Sequence, residues 1–364
     1  MAGFEGLKWA PGQMIYNLTS GKVEMKAARD KTFAVSRSLH YGIFLAFEGI
    51  RFYVKEERGR LYAVFLNLDH NINRFREGIA FNLRRDQRKM VPSEKKMLDL
   101  FIKFLSQPKM KPFIREMAKL GAQGYLRPFT VDDDQSIGVT FPANPVIRMV
   151  AARYKAYLGE PFHGVVIPHL VRAIDINETG RLKLGVNYLM SVKAVAEARR
   201  IRPAAASALF LDDRYMDRLE KRKITEWDSS CCLIGLKDGT VIKIPESNLI
   251  LPSVTIQGIV RILRKNGIKV VERDVTYGEL IKLTKQGRIV TICSVGTAGI
   301  LNRCSSLLLI DGKKKKIDLM TSDTKHPLFQ ALGDAKTYYW NVFKGEAKPL
   351  PGMKRTQHSL GRAK

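Results

Sequence analysis

The sequence predicts a two-domain protein of the α/β class, with strands and helices mixed along the chain. Its 364 residues are more than one compact core usually holds. An apolar fraction of 45%, with glycine and proline scattered throughout, is typical of a globular chain. Strand-like and helix-like segments alternate, which favours a mixed α/β architecture over an all-α or all-β one.

The first half of the chain predicts a small N-terminal α/β domain, residues 1–152. The runs "GIRFYVKEE" and "LYAVFLN", joined by "ERGR", predict a β-hairpin. In "NINRFREGIAFNL" the apolar residues recur at helical spacing, and "SEKKMLDLFIKFLSQ" begins with Ser93, a typical helix start. "QGYLRPFTV" and "NPVIRMVAARY" predict strands on either side of the turn-prone "DDDQS".

The second half predicts a larger domain, residues 165–348. Residues 153–164 mix aromatics, glycine and proline without periodicity, so we place an interdomain connection there. Strands such as "GVVIPHLVRAI", "ASALFLDD", "CCLIGLKDG" and "RIVTICSVG" alternate with helices. These helices are predicted at 188–200, 255–267 and 277–286, and in the first of them Leu189, Val192 and Ala196 form an apolar stripe. Residues 349–364 form a basic tail that we expect to be poorly ordered.

Several classes of protein are excluded by simple patterns. No apolar run approaches the roughly 18–20 residues of a membrane span. The N-terminus has no basic segment followed by an apolar core, so we expect no signal peptide. The four cysteines and six histidines show no metal-ligand or disulfide spacing. We therefore expect reduced cysteines, a cytoplasmic location and no metal.

The charge is the unusual feature of the composition. Sixty-two basic residues against 35 acidic ones give a net charge of +27. Such a balance attracts anionic partners, including nucleic acid and phosphorylated ligands. The basic residues are spread along the chain, however, and the dense runs "DGKKKKID" and "RLEKRKI" have the composition of a hairpin turn and a surface loop. We expect a solvated basic surface and no membrane partner, and nucleic-acid binding is the disfavoured alternative.

Lys183 is the first candidate for chemistry. It lies in "KLGVNY", just before a predicted helix and beside Gly185, where the backbone can approach a ligand closely. Taken alone, this stretch favours a solvated lysine, because the chain contains many lysines.

A set of segments in one order makes the chain resemble a known family. The segments are "SLHYG", "FEGIRFY", "NINRF", "GYLRP", "AYLG", "KLGVNY", "EAR", "ITE", "LPSVT" and "VGTA", between residues 38 and 298. The chain resembles the fold-type IV pyridoxal-phosphate enzymes, and most closely the branched-chain amino-acid aminotransferases. The resemblance implies their fold, a small α/β domain plus a larger pseudo-barrel domain, and pyridoxal 5′-phosphate as cofactor.

The resemblance also implies roles for single residues around the cofactor ring. Lys183 is expected to form the Schiff base and to move the proton during catalysis, which requires an amine that deprotonates near neutral pH. Tyr188 is expected to donate a hydrogen bond to the ring oxygen. Glu226 is expected to pair with the ring nitrogen. An insertion precedes Glu226, and Glu220 is the alternative there.

The resemblance implies separate groups for the cofactor phosphate and for the substrate. Arg74, the backbone amides of Val254 and Thr255 at a helix start, and Gly296 with Thr297 are expected to hold the phosphate. The residues expected to line the substrate pocket are Tyr41, Phe47, Tyr125, Arg127 and Ala298.

The chain departs from the family pattern mainly on the substrate side. Cys231 stands where an asparagine is usual, Ser253 where a glycine is usual and Ile256 where an arginine is usual. Residues 43–46 contain one residue more than expected, and "LNR" replaces a usual "TPV". These departures predict a substrate other than the ordinary branched-chain amino acids.

The predicted activity is transamination between an amino acid or amine and a 2-keto acid. Two alternatives share the cofactor set: a lyase of the aminodeoxychorismate type, and a D-amino-acid transaminase. A degenerate relative that acts as a binding module is disfavoured because lysine, tyrosine, glutamate and arginine are all kept.

A homodimer is also expected. The segment 132–141, "DDDQSIGVTF", matches a family loop that reaches over the partner's site. It carries apolar residues beyond a polar turn, which suggests that another surface covers it.

Overall fold

The computed structural model describes residues 4–30, 36–157 and 160–363. Two compact units divide the chain. The N-terminal unit comprises Phe4–Ala156, Leu182–Val186 and the C-terminal residues from Phe343 onward. The second unit comprises Tyr157–Arg181 and Asn187–Val342. Of the predicted interdomain connection, Leu158 and Gly159 lie outside the described residues.

Strands and helices alternate along the first 157 residues. The strands are β1 (Phe4–Glu5), β2 (Lys8–Trp9), β3 (Gly12–Asn17), β4 (Val23–Ala27), β5 (Ile50–Glu57), β6 (Arg60–Leu66), β7 (Gln123–Asp132), β8 (Pro145–Tyr154) and β9 (Ala156–Tyr157). The helices are α1 (Arg37–Tyr41), α2 (Leu68–Phe81), α3 (Glu94–Leu105) and α4 (Lys111–Leu120). The predicted hairpin β5–β6, the helices α2 and α3, and the strands β7 and β8 are confirmed, whereas β1 to β4 were not anticipated.

The remaining elements follow in a similar alternation. The strands are β10 (Phe162–Val166), β11 (Ala205–Leu211), β12 (Ile224–Trp227), β13 (Cys231–Leu236), β14 (Val241–Lys243), β15 (Val270–Glu272), β16 (Ile289–Gly296), β17 (Ile300–Ile310), β18 (Lys316–Thr321) and β19 (Arg355–Arg362). The helices are α5 (Tyr188–Ile201), α6 (Val254–Lys265), α7 (Tyr277–Lys285) and α8 (Pro327–Lys344). All the helices predicted here are confirmed, with ends shifted by only a few residues.

Each unit is built on one large sheet. In the N-terminal unit the order is β19-β6-β5-β7-β8-β3-β4, with β2 also paired to β8. Helices α2, α3 and α4 supply Phe75, Phe101, Phe104 and Phe113 to the core on this sheet. In the second unit the order is β12-β11-β10-β17-β16-β13-β14-β15, with β18 paired to β17. Among the described residues, no helix is long and apolar enough to cross a membrane.

The C-terminal segment corrects one expectation. We expected residues 349–364 to be a poorly ordered basic tail, but Arg355–Arg362 form β19, antiparallel to β6. Leu360 lies in the N-terminal core, and Arg355 donates to the carbonyls of Phe343 and Lys344. Edge-strand pairing orders this segment because its backbone amides and carbonyls find partners there.

Helix α5 buries a different face from the one the sequence predicted. The buried positions are Ser191, Ala194 and Ala198, which pack on β10 and β11, whereas Leu189 and Val192 are exposed. Small side chains let the helix lie close to the sheet. Apolar periodicity alone therefore chose the wrong face.

Candidate active site

Lys183 lies in a short segment that packs with the N-terminal unit. Its neighbours Leu182 and Leu184 are buried in the core of that unit. The Lys183 carbonyl accepts a hydrogen bond from Phe47 N–H (3.0 Å), and Gly185 N–H donates to the carbonyl of Leu45 (2.8 Å). Apolar flanks and two backbone hydrogen bonds thus fix the position from which the lysine side chain extends.

The amino group of Lys183 has a lowered pKa. Its Nζ lies 4.9 Å from the centroid of the Phe47 ring. The pKa of this amino group is lowered from 10.5 to about 8: burial is the largest cause, Arg74 adds to the lowering, and Glu48 opposes it. The side chain keeps some exposed surface, but the protein around Nζ is dense enough to disfavour the charged form. At pH 7 this shift raises the neutral fraction roughly 300-fold.

Glu48 and Arg74 form a buried ion pair in the same unit. Arg74 Nε donates to Glu48 Oε2 (2.7 Å) and Nη2 donates to Glu48 Oε1 (2.6 Å), a bidentate arrangement. Burial raises the pKa of Glu48, but Arg74 and Lys183 outweigh burial and hold that pKa below its usual value. The carboxylate therefore stays charged and orients Arg74, which α2 presents from its buried face.

Three of the predicted substrate residues lie together and one does not. The Arg127 guanidinium lies 4.6 Å from the Phe47 ring centroid and 5.1 Å from that of Tyr125, and Nη2 donates to the Tyr125 hydroxyl (2.9 Å). Tyr41 is instead about half exposed at the end of α1, where its hydroxyl donates to the Ile137 carbonyl (2.8 Å). Phe47, Tyr125 and Arg127 therefore form a stack of two aromatic rings and one cation.

Glu226 is a buried carboxylate in the second unit. It lies on β12, 3% exposed, and forms an ion pair with Arg172 Nη2. Its Oε1 also accepts a hydrogen bond from Leu251 N–H (3.4 Å). Glu220, the alternative in the sequence, lies exposed in a 3-10 turn. This difference in burial favours Glu226 as the functional carboxylate.

Cys231 has a partner of its own beside Glu226. Its Sγ donates to the carbonyl of Leu251 (3.3 Å), the same residue whose N–H reaches Glu226. The thiol thus supports the loop before α6, a task that an amide could also perform. Although Cys231 replaces the usual asparagine, its side chain therefore still forms a hydrogen bond to the loop before α6.

Tyr188 is the first residue of α5. Asn187, just before it, is buried and its Nδ2 donates to the Thr179 carbonyl (2.7 Å). The side chain of Tyr188 is half-buried. The asparagine fixes the turn that positions Tyr188 at the start of the helix.

The predicted phosphate-binding residues lie at a helix start and at a tight hairpin. Ser253 caps α6, its hydroxyl accepting from Ile256 N–H (3.2 Å), so the unusual serine has a structural role. The amides of Val254 and Thr255 belong to the first turn, where amides have no helical partner. Gly296, Thr297 and Ala298 form the end of β16 and its turn into β17.

Sequence reasoning missed Glu48 and Arg172. Glu48 stands inside the quoted "FEGIRFY", and a carboxylate within an otherwise apolar, buried run needs a charged partner. Arg172 stood in a run that we predicted as a strand, but β10 ends at Val166. Among the residues that the structure describes, no three His, Cys, Asp or Glu side chains are grouped so as to hold a metal ion.

Comparison of the chain with known proteins gives sequence relatives of one kind. No family model matches the chain. The mitochondrial branched-chain-amino-acid aminotransferase of Schizosaccharomyces pombe is 27% identical over 278 residues, 73% of this chain and 60% of that protein. The branched-chain-amino-acid aminotransferase of Dictyostelium discoideum is 26% identical over 309 residues, 82% of this chain and 74% of that protein. The chain thus spans less than two thirds of the fission-yeast relative.

Solved structures of similar fold carry the same name. The branched-chain aminotransferase of Thermoproteus uzoniensis with norvaline gives a TM-score of 0.68 at 19% identity, covering 96% of this chain and 99% of that one. The Escherichia coli branched-chain amino acid aminotransferase gives 0.67 at 20% identity, covering 93% and 96%.

These likenesses define the class: the chain has the fold of the fold-type IV pyridoxal-phosphate enzymes, as the sequence predicted. Within that class its sequence is similar to proteins named branched-chain-amino-acid aminotransferases. The resemblance stated from short motifs is therefore confirmed.

Proposed function

We propose that the chain is a pyridoxal-phosphate-dependent transaminase that exchanges an amino group between an amino acid or amine and a 2-keto acid. The observation that carries the proposal is the Lys183 amine, whose pKa is lowered to about 8 between Phe47 and the Glu48–Arg74 pair. A transaminase needs such an amine, because only its neutral form can bond to a carbonyl carbon or accept a proton. The two sequence relatives and two solved structures reported above are all named branched-chain aminotransferases, and none of the four is a lyase.

The residues present fit a phosphorylated, anionic cofactor. Arg74 is a buried cation, and α6 begins with two amides suited to an anion. The Lys183 amine, with its lowered pKa, is suited to bond to an aldehyde. Relatives have been solved in the pyridoxal-phosphate form, including the enzyme of Thermobaculum terrenum. When bound, this cofactor supplies an aldehyde and a ring that accepts electrons from the substrate.

Three residues have proposed roles around the substrate Cα and the cofactor ring: one moves a proton and two form hydrogen bonds to the ring. Lys183 Nζ, as a neutral amine, would take the proton from the substrate Cα and deliver it to carbon C4′ of the cofactor, and the opposite half of the cycle would reverse both transfers. Tyr188 donates a hydrogen bond to the ring oxygen. Glu226, kept ionised beside Arg172, accepts a hydrogen bond from the protonated ring nitrogen.

The other proposed site residues either hold the cofactor phosphate or bind the substrate. Arg74, the amides of Val254 and Thr255, and Gly296 with Thr297 hold the phosphate. For the substrate, Phe47 and Tyr125 offer apolar ring faces, Arg127 offers a cation, and Tyr41 and Ala298 line the remaining pocket. Because Ile256 removes a usual arginine, we expect a substrate other than the ordinary branched-chain amino acids.

Amino transfer is the direct test of the proposal. The protein is loaded with pyridoxal phosphate and given a panel of amino donors, with 2-oxoglutarate or a branched 2-keto acid as acceptor. We expect the visible absorption band of the loaded protein to change on adding a donor, and the acceptor to be converted into its amino acid. No conversion with any donor, together with an unchanged band, would refute a transaminase.

A substitution distinguishes Glu226 from Glu220. Glu226→Ala is expected to abolish most turnover, by about 100-fold or more, while borohydride still fixes the cofactor on the protein. Glu220→Ala is the matched control, since it changes an exposed glutamate six residues away. If Glu220→Ala loses the turnover instead, the sequence was misaligned across the insertion. Steady-state rates and mass spectrometry of the reduced protein give both readouts.

We also propose a homodimer in which residues 132–141 meet the partner subunit. Arg37 anchors this segment: its Nη1 donates to Thr140 Oγ1 and to the Phe141 carbonyl, each at 2.7 Å. Just before these two anchored residues, Ile137 is 67% exposed and Val139 is 73% exposed. Such apolar side chains on an anchored segment suit burial against a second copy.

The dimer has a quantitative test. Ile137→Ser with Val139→Ser is expected to weaken the dimer about ten-fold or more, since each buried aliphatic side chain contributes about 1.5–3 kcal/mol. Leu120→Ser is the control, because Leu120 is exposed in the same unit. Sedimentation at micromolar concentration measures the mass. A wild-type particle of one-chain mass that still transfers amino groups would rule out the shared-site arrangement.

We propose a cytoplasmic location for this enzyme. The support is its chemistry: all four cysteines are free thiols buried in the second unit.

A further inference from the structure

Arg172 occupies a central position among the backbone segments around Glu226. It is 8% exposed and lies in the segment after β10. Its Nη2 donates to the carbonyls of Gly180 (2.7 Å) and Leu249 (3.0 Å), and it also meets Glu226 Oε1. One guanidinium nitrogen therefore joins two loops and a strand, all within the second unit.

The two loops that Arg172 joins lead to other predicted site residues. Gly180 is three residues before Lys183, and Leu249 is five residues before Val254 at the start of α6. Close approach of these loops requires a glycine, because a Cβ on Gly180 would lie 2.4 Å from the Asn248 carbonyl oxygen. Arg181 N–H also donates to that carbonyl (3.1 Å). The contacts hold the loops at one fixed separation.

Arg172 also supplies the countercharge of Glu226. A carboxylate that is 3% exposed loses most of its hydration, and it remains ionised only beside a cation or several donors. Leu251 N–H is one donor, at 3.4 Å, and Arg172 is the cation. Removing Arg172 would take away the ion-pair partner of this buried carboxylate, which favours protonation or reorientation of Glu226.

We infer that Arg172 is a positioning residue of the proposed transaminase: it keeps Glu226 ionised and aimed at the cofactor's ring nitrogen. This inference rests on the proposed function. A purely structural arginine would explain the two carbonyl contacts but not the contact with the one buried carboxylate assigned to the ring. Local sequence pattern did not indicate this role, because Arg172 lies in an apolar run that resembles a strand.

The test compares two ligands that differ at one ring atom. Apoprotein is titrated with pyridoxal phosphate and with its analogue in which CH replaces the ring nitrogen, and absorbance gives each dissociation constant. Arg172→Gln is expected to weaken pyridoxal phosphate binding about ten-fold or more, the loss of one charge-assisted hydrogen bond. Binding of the analogue should change less than about two-fold, since it has no N–H to offer Glu226. Arg172→Lys should recover part of the loss.

Two further variants separate positioning from folding. Arg181→Gln is the matched control, because Arg181 lies in the same segment and its side chain forms an exposed ion pair with Glu178. Glu226→Gln should reproduce the ligand pattern of Arg172→Gln, and the double variant should be no worse than either single one. Equal weakening of both ligands by Arg172→Gln, or additive effects in the double variant, would overturn the inference. If wild-type protein binds neither ligand, the proposed function fails and the inference fails with it.

Discussion

Replacing Lys183 with methionine is expected to abolish amino transfer and, at the same time, to stabilise the apoprotein at neutral pH. Methionine fills a similar volume without an amine, so no group remains to bond to the cofactor or move the proton. The stabilisation arises because burial beside Arg74 disfavours the charged ammonium of Lys183. At pH 7 we expect the free energy of unfolding to rise by about 2 kcal/mol.

The pH dependence of this gain has a definite sign. The pKa of Lys183 is about 8 in the folded protein, below its ordinary 10.5, so the unfolded chain binds more protons between these values. Wild-type stability therefore rises with pH from about 8 to 10.5, and the advantage of the variant disappears across that window. Urea unfolding at several pH values measures it. Lys193→Met, on the exposed face of α5, is the control. If the difference in unfolding free energy between Lys183→Met and wild type stays constant with pH, the lowered pKa of Lys183 is contradicted.

Glu48→Gln is expected to give the largest loss of stability. The substitution keeps the shape of the side chain but leaves the buried Arg74 guanidinium without its countercharge. Breaking a buried ion pair by neutralising one partner typically costs about 3–5 kcal/mol. The same change should lower the pKa of Lys183 further, because Glu48 opposes that shift.

The acid side of the stability curve gives a second readout for Glu48. Its pKa is lowered in the folded protein, since Arg74 and Lys183 outweigh burial. The stabilising contribution of ionised Glu48 to the free energy of unfolding is therefore fully present above the ordinary carboxyl pKa. This contribution is lost as pH falls through the lower pKa that Glu48 has in the folded protein. The Gln variant should lack that acid-induced loss. Glu57→Gln, at the exposed end of β5, is the control and should change little. Equal stability of wild type and Glu48→Gln at pH 7 would show that the pair does not stabilise the fold.

The sequence was informative where local pattern and motif order carry the information. The helix starts at Ser93 and at "LPSVT", the hairpin β5–β6 and the lysine before α5 all follow from residues close together in the chain. Comparison with known proteins confirmed the resemblance and the fold. Lys183, Tyr188, Glu226 and the other assigned residues stay predictions, because their roles concern a ligand.

The sequence was misleading where distant residues decide the outcome. Arg222 belongs to the basic run that we predicted as a surface loop, yet it is 1% exposed and its Nε donates to the Asp212 carbonyl (2.8 Å). Helix α5 buries small residues in place of its apolar stripe, and β19 pairs with a strand almost 300 residues earlier. Each case depends on a partner that local periodicity does not reveal.

The most direct measurement of the central claim is the site of cofactor attachment. Protein loaded with pyridoxal phosphate is reduced with borohydride, digested and mapped by mass spectrometry. The account predicts that the phosphopyridoxyl group lies on Lys183, and that Lys183→Met carries none while Lys193→Met is labelled like wild type. Label on another lysine, or equal label on Lys183→Met and wild type, would contradict it.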